Sequence, residues 1–276
     1  TYGNIIKKYA PDHPLAAFRM IKAGLALEQF RSKHLADKRM PGAYQYLNTY
    51  AVGEVLAALK HPETSVWANI FAPVELLQCF GLHSLSIECL SSFLSGFTIE
   101  DYFLDYAENE GLASTLCSYH KNFIGAIDSC IIPPAAFAVT TSTICDGNIN
   151  TFRHLSEKHQ VPSFLIDVPQ YNTPDAKAYV TEQLKELIAM LEDTFHQKFQ
   201  EEELVPILQR ENASKACYER CLKNLRTHHY PSTLTMQMYM LFASHMNIGT
   251  PEILHFYQQM EAEAAAAPEF HGTNIL

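Results

Sequence analysis

Between Ser65 and Pro169 four short apolar runs, SVWANIF, LHSLSIEC, FAVTTSTI and PSFLIDVP, alternate with segments of helical period. No other feature restricts the fold as much. A strand covered on both faces reads as a continuous apolar run, because neither face meets water. Strands separated by helices can pair only as parallel neighbours joined by crossovers. The pattern therefore predicts an α/β chain with a parallel-sheet lobe of Rossmann or flavodoxin type.

Around that lobe the period is helical. Residues 1–62 read as an N-terminal helical segment, with Pro14 at a first-turn position and Leu15, Phe18, Ile21, Ala23, Leu25 and Phe30 as an apolar stripe. A second helix is expected over Tyr50 to Leu59. The lobe itself spans 63–172. From Thr173, a natural cap before Pro174, the chain reads as a helical bridge over 173–276. Its expected helices cover Pro174 onward, Glu201–Gln209, Ala213–Arg226, Ser232–Met246 and Pro251–Glu263. The terminal GTNIL reads as the start of another strand, so a second α/β lobe is expected to lie beyond Leu276.

Composition narrows the function. A formal charge of −10 without any basic stripe argues against nucleic acid and anionic membrane, since both need clustered Lys and Arg. The longest apolar run, Ile131 to Val139, holds two prolines and is far shorter than the ~20 residues of a membrane span. The N-terminus lacks the apolar core of a secretory signal. A cytoplasmic protein is expected. Seven cysteines, an odd number without CxxC pairs, do not form a disulfide framework.

In an open parallel sheet, ligands gather outside the carboxyl ends of the strands, where helix N-termini point inward. Three runs deposit polar residues there: Glu75 after SVWANIF, Cys145-Asp146-Gly147 after FAVTTSTI, and Asp167 after PSFLIDVP. Cys117 precedes a helical run in the same way. A thiol at a helix N-terminus is favoured as thiolate, the form that binds metal. Asp146 is expected to orient its turn, and Asp167 to cap the connection that follows. Spacing alone gives Cys117 and Cys145 no metal signature.

Four segments in order, APVELLQCFGLHSLSIE, LCSYHKNFIGA, TTSTICDGNINTFRHL and VPSFLIDVPQYNTPDAKAYVTEQLKELIAMLE, resemble the 2-hydroxyacyl-CoA dehydratase family. This family includes the 2-hydroxyglutaryl-CoA dehydratase D-component and the benzoyl-CoA reductase subunits. The resemblance covers about Ser65 to Met260, more loosely in the N-terminal helices. It implies a [4Fe–4S] cluster on three cysteine thiolates, with Cys117 and Cys145 matching two and the third expected beyond Leu276. On two thiolates alone the cluster would be labile, so this stretch by itself is expected to be metal-free and inactive. Glu75 would be a catalytic carboxylate at the substrate pocket.

The implied reaction is radical elimination of water from a 2-hydroxyacyl-CoA, through a ketyl formed by adding one electron to the thioester. The implied partners are the acyl-CoA, a homologous second subunit, and an ATP-dependent activator that donates the electron. Two other readings follow from the same resemblance. One is a benzoyl-CoA reductase-like or electron-relay subunit without its own substrate site. The other is a cluster-free relative that serves as a binding or scaffold protein. Cys79, Cys89 and Cys130 match no implied ligand and are expected in the core. Cys217 and Cys221, one helical turn apart, read as part of a half-buried helical face.

Overall fold

The structure is a computed structural model and describes residues 2–35 and 37–270. It falls into two compact units, Thr1–Gly24 with Val55–Phe199, and Leu25–Glu54 with Gln200–Leu276. In chain order the helices and strands are α1 (Tyr2–Tyr9), α2 (Pro14–His34), α3 (Gly42–Lys60), β1 (Ser65–Ala68), α4 (Val74–Cys79), β2 (His83–Ser86), α5 (Ile87–Gly96), α6 (Glu100–Asn109) and α7 (Ser118–Asp128). There follow β3 (Phe137–Thr141), α8 (Asp146–His159), β4 (Ser163–Ile166), α9 (Pro174–Phe195), α10 (Glu201–Asn224), α11 (Leu234–His245) and α12 (Pro251–Ala266).

The first unit carries the sheet. Its order is β2-β1-β3-β4 and every pairing is parallel, with Trp67 opposite Leu85 on one side and Ala138 on the other. The α/β fold expected from the alternating runs is therefore present. β1 and β3 are buried along their whole length, as continuous apolar strands must be, whereas β4 lies at an edge and is largely open. Trp67 meets Phe123 of α7 edge to face at 6.0 Å, and both are fully buried. Burial of each such ring contributes roughly 2–3 kcal/mol. Gly125 lets α7 approach α6, because a Cβ there would run into the Phe103 carbonyl.

The second unit is helical. Tyr218 of α10 packs on Tyr257 of α12 at 5.6 Å, and Arg220 grips Glu261 through two bonds of 2.6 and 2.9 Å. Glu263 of α12 accepts from the Ala43 amide at the start of α3, a carboxylate placed at a helix N-terminus.

Several boundaries differ from expectation. The helix expected from Tyr50 begins at Gly42. The two helices expected over 201–226 are one, α10, because the polar Arg210-Glu211-Asn212 contains neither Gly nor Pro and does not interrupt it. In α2, Phe18, Ile21 and Leu25 are buried as expected, but Leu15, Ala23 and Phe30 are exposed, so the true inner face is narrower. The expected strand at GTNIL lies outside the described residues.

Candidate functional site

The strand order reverses between β1 and β3, so a crevice opens between their carboxyl ends. Asn69, the first residue after β1, is fully buried there and its Nδ2 donates to Thr141 Oγ1 at 3.1 Å, tying the two strand ends together. Glu75 stands half-buried in the first turn of α4 at this edge. One further carboxyl lies at the end of β2. Glu88, in the first turn of α5, is pushed above its ordinary pKa by burial, and its Oε2 has no protein partner.

Cys117 is the residue that starts α7, and its thiol is exposed. The loop before it is held by Lys121, a buried amine that donates to Glu108 at 2.6 Å and to the Ser114 carbonyl at 2.8 Å. Cys145 starts α8 in the same way and is half-buried. It is delivered by a tight three-residue turn: Ile144 has a φ of 68°, and the Cys145 N–H donates to the Thr143 carbonyl at 2.8 Å. A β-branched residue seldom takes that backbone conformation.

Cys145 Sγ lies 3.5 Å from His120 Nε2, and His120 Nδ1 lies 2.9 Å from Thr151 Oγ1. His120 comes three residues after Cys117, so its Cβ is about 5–6 Å from that of Cys117 on the first turn of α7. The two cysteines thus begin neighbouring helices and share one imidazole at the interface. Burial pushes His120 below its ordinary pKa, so it is neutral at pH 7. Gly147 makes room for the ring, since a Cβ there would stand 2.8 Å from Nε2 and 3.3 Å from Sγ. This accounts for the glycine in Cys-Asp-Gly.

The other ends of α7 and α8 are clamped. Asp128, the last residue of α7, is buried and accepts from His154 at 2.9 Å, Lys158 at 2.9 Å and His159 at 2.8 Å. Burial works to raise its pKa, but these three donors outweigh it and hold the carboxyl below its ordinary range.

Two expectations need correction. Cys130 is exposed at a φ of 59° just past α7, not in the core, because the chain turns sharply there. Asp167 does not cap α9; Thr173 does, accepting from Ala176 N at 3.1 Å. Asp167 ends β4 too far from the helix and instead accepts from Ser142 at 3.0 Å and Tyr179 at 3.3 Å. Cys79, Cys89, Cys217 and Cys221 are buried, as expected.

Among the described residues no group of three or more His, Cys, Asp or Glu side chains is arranged to hold a metal ion. The donor set at the rim is two thiols, each at a helix start, where N–H groups favour an anionic sulfur. That chemistry suits two ligands of an iron–sulfur cluster; a third must come from outside the described residues. Sequence reasoning missed His120, Thr151 and Glu88, although His120 stands three residues after Cys117 in the written sequence.

The family model of the 2-hydroxyglutaryl-CoA dehydratase D-component matches residues 69–274, about three quarters of the chain. The chain belongs to that family. The D-component family is one of multi-subunit dehydratases, so the chain is a dehydratase-type subunit. The match begins at Asn69, the residue that joins the ends of β1 and β3, and includes all of the rim just described. A comparison with curated proteins finds no match. Among the described residues no helix is long and apolar enough to cross a membrane.

Proposed function

We propose that the chain is a subunit of a [4Fe–4S]-dependent 2-hydroxyacyl-CoA dehydratase, with Cys117 and Cys145 as two cluster ligands. The observation that carries this is the meeting of two helix-start cysteines at the carboxyl edge of the sheet, with Cys145 Sγ 3.5 Å from an imidazole on the helix that Cys117 begins. Bound there, a cluster with one iron free of cysteine would supply an electron path and a Lewis acid for the thioester carbonyl or the departing hydroxyl. The chemistry requires such help because the β-proton of a 2-hydroxyacyl thioester is not acidified by the carbonyl. One-electron reduction of the thioester to a ketyl removes that obstacle.

The chain's own residues contribute position and polarity. Lys121 fixes the loop leading to Cys117, and the Asp128 clamp holds α7 against α8. Glu75 is the carboxylate we assign to the substrate side. A cleft of about 370 Å³ runs beside Gly147 and Thr151, with Leu112, Leu116 and Ile124 as its apolar wall. Its volume suits an acyl group and not a whole coenzyme A. The homologous subunit and an ATP-dependent electron donor complete the assembly in this reading.

The test is anaerobic preparation of the complete holoprotein with its partner subunit, followed by iron and sulfide analysis and absorbance near roughly 400 nm. Cys145→Ser and Cys117→Ser should each lose the colour and most of the iron, while Cys217→Ser keeps both. Full iron content in Cys145→Ser would remove the assignment.

A further inference from the structure

His120 has no place in the reading above beyond its proximity, yet its surroundings are unusually determined. Both ring nitrogens are matched: Nε2 to Cys145 Sγ at 3.5 Å and Nδ1 to Thr151 Oγ1 at 2.9 Å. The residue is 4% exposed, so bulk water does not compete for either nitrogen. The three side chains come from two helices and from positions 25 and 31 residues apart. Gly147 is the condition for the contact, because any side chain there would press on both the ring and the sulfur.

We propose that His120, steered by Thr151, is a positioning residue that donates a hydrogen bond from Nε2 to the Cys145 sulfur when that sulfur is bound to metal. The inference rests on Cys145 being a ligand, as proposed above. A metal-bound thiolate can only accept, so Nε2 must carry the ring hydrogen. Nδ1 is then the acceptor, and the Thr151 hydroxyl, which can donate or accept, donates to it. This is how ligands are commonly oriented from the shell behind them. An N–H bond to a ligand sulfur withdraws charge from it, favours the reduced form of the cluster, and raises its reduction potential. His120 therefore does two things: it aims the Cys145 sulfur, and it makes the electron easier to hold.

Redox titration of the anaerobic holoprotein, followed by electron paramagnetic resonance, tests the idea apart from turnover. His120→Leu should keep its iron and shift the midpoint to a more negative potential. His120→Gln, whose side-chain amide can reach the same sulfur, should recover much of the shift. Thr151→Val should move it less, in the same direction. The valine variant replaces one hydroxyl by a methyl, so it reports even if the leucine variant does not fold. Gly147→Ala should resemble His120→Leu although the histidine is still there. Unchanged potentials in Thr151→Val and His120→Gln together with Gly147→Ala would overturn the proposal, as would loss of iron in both His120 variants. A Cys145→Ser protein that retains its full cluster is a separate result: it removes the parent reading, whatever the potentials show.

Discussion

Cys145 and Cys221 each lie on a helix, one in the sheet-bearing unit and one in the helical unit, and their surroundings differ at every level. Cys145 begins α8, where the first N–H groups have no carbonyl partner within the helix. It is half-buried, and a histidine faces its sulfur. Cys221 comes near the end of the long α10, fully buried, with its own carbonyl already accepting from Leu225 N at 3.0 Å. Burial pushes its thiol up to about 11. Cys217, one turn earlier, is raised as well, chiefly by burial, despite the Arg220 guanidinium 3.3 Å away. A thiol's chemistry is thus decided by its place along a helix and by which neighbours remain polar. The pair that looks more like a motif on paper, Cys-x3-Cys, is the inert one.

The largest effect expected from this contrast is in thiol labelling. A shift from the ordinary value near 8.5 to about 11 leaves roughly 300-fold less thiolate at neutral pH, before access is considered. Cys89, fully buried and pushed up to about 12, should be slower still. Iodoacetamide treatment of the native, metal-free protein with peptide mapping should modify the exposed Cys117 and Cys130 first. Cys89, Cys217 and Cys221 should react only after denaturation. Labelling of Cys221 at the rate of Cys117 would erase the distinction.

A second effect concerns what holds the rim in shape. Asp128 is buried and gathers three donors from α8, so Asp128→Asn should cost about 3 kcal/mol, the usual scale for breaking a buried ionic cluster. The sign of its pH dependence is fixed. The folded-state pKa lies below the unfolded value, so the unfolded chain binds the proton more readily and the clamp's contribution is complete above the unfolded pKa. It disappears as pH falls through the lower folded value. The gap in urea midpoint between wild type and Asp128→Asn should be full at pH 7 and begin to close below about pH 4. A gap that persists undiminished at still lower pH would mean the carboxylate charge is not what matters.

The sheet was legible because β1 and β3 are covered on both sides and so had to be written as unbroken apolar runs. The cysteines were legible as helix starts for a related reason: a strand's end and a helix's beginning are both local events. His120 was not, because its role exists only once α7 packs on α8 and brings Thr151 within 2.9 Å. Glu88 was hidden in an apolar run, and only the folded chain shows that its carboxyl is desolvated at the strand end. Compactness, too, is not a linear property. The chain leaves the sheet-bearing unit within α2 and returns within α3, so the units cut through helices that periodicity reads as single elements.

The smallest effect is the most direct on the nature of the α10 thiols. If Cys221 acts as a small hydrophobe, alanine removes one sulfur's worth of packing and should cost on the order of 1 kcal/mol. Serine keeps the shape but places a hydroxyl where nothing but a helix carbonyl one turn back can receive it. Cys221→Ser should therefore be less stable than Cys221→Ala, by perhaps as much again on the same scale of about 1 kcal/mol. At Cys145 the order should vanish, because a half-exposed helix start can satisfy a hydroxyl through water and through its own first N–H groups. Serine is a favourable residue at that position, and both variants should lie within about 0.5 kcal/mol of the metal-free wild type. Urea unfolding of the four variants decides it. Serine and alanine ranking alike at both sites would show that burial does not separate the two thiols.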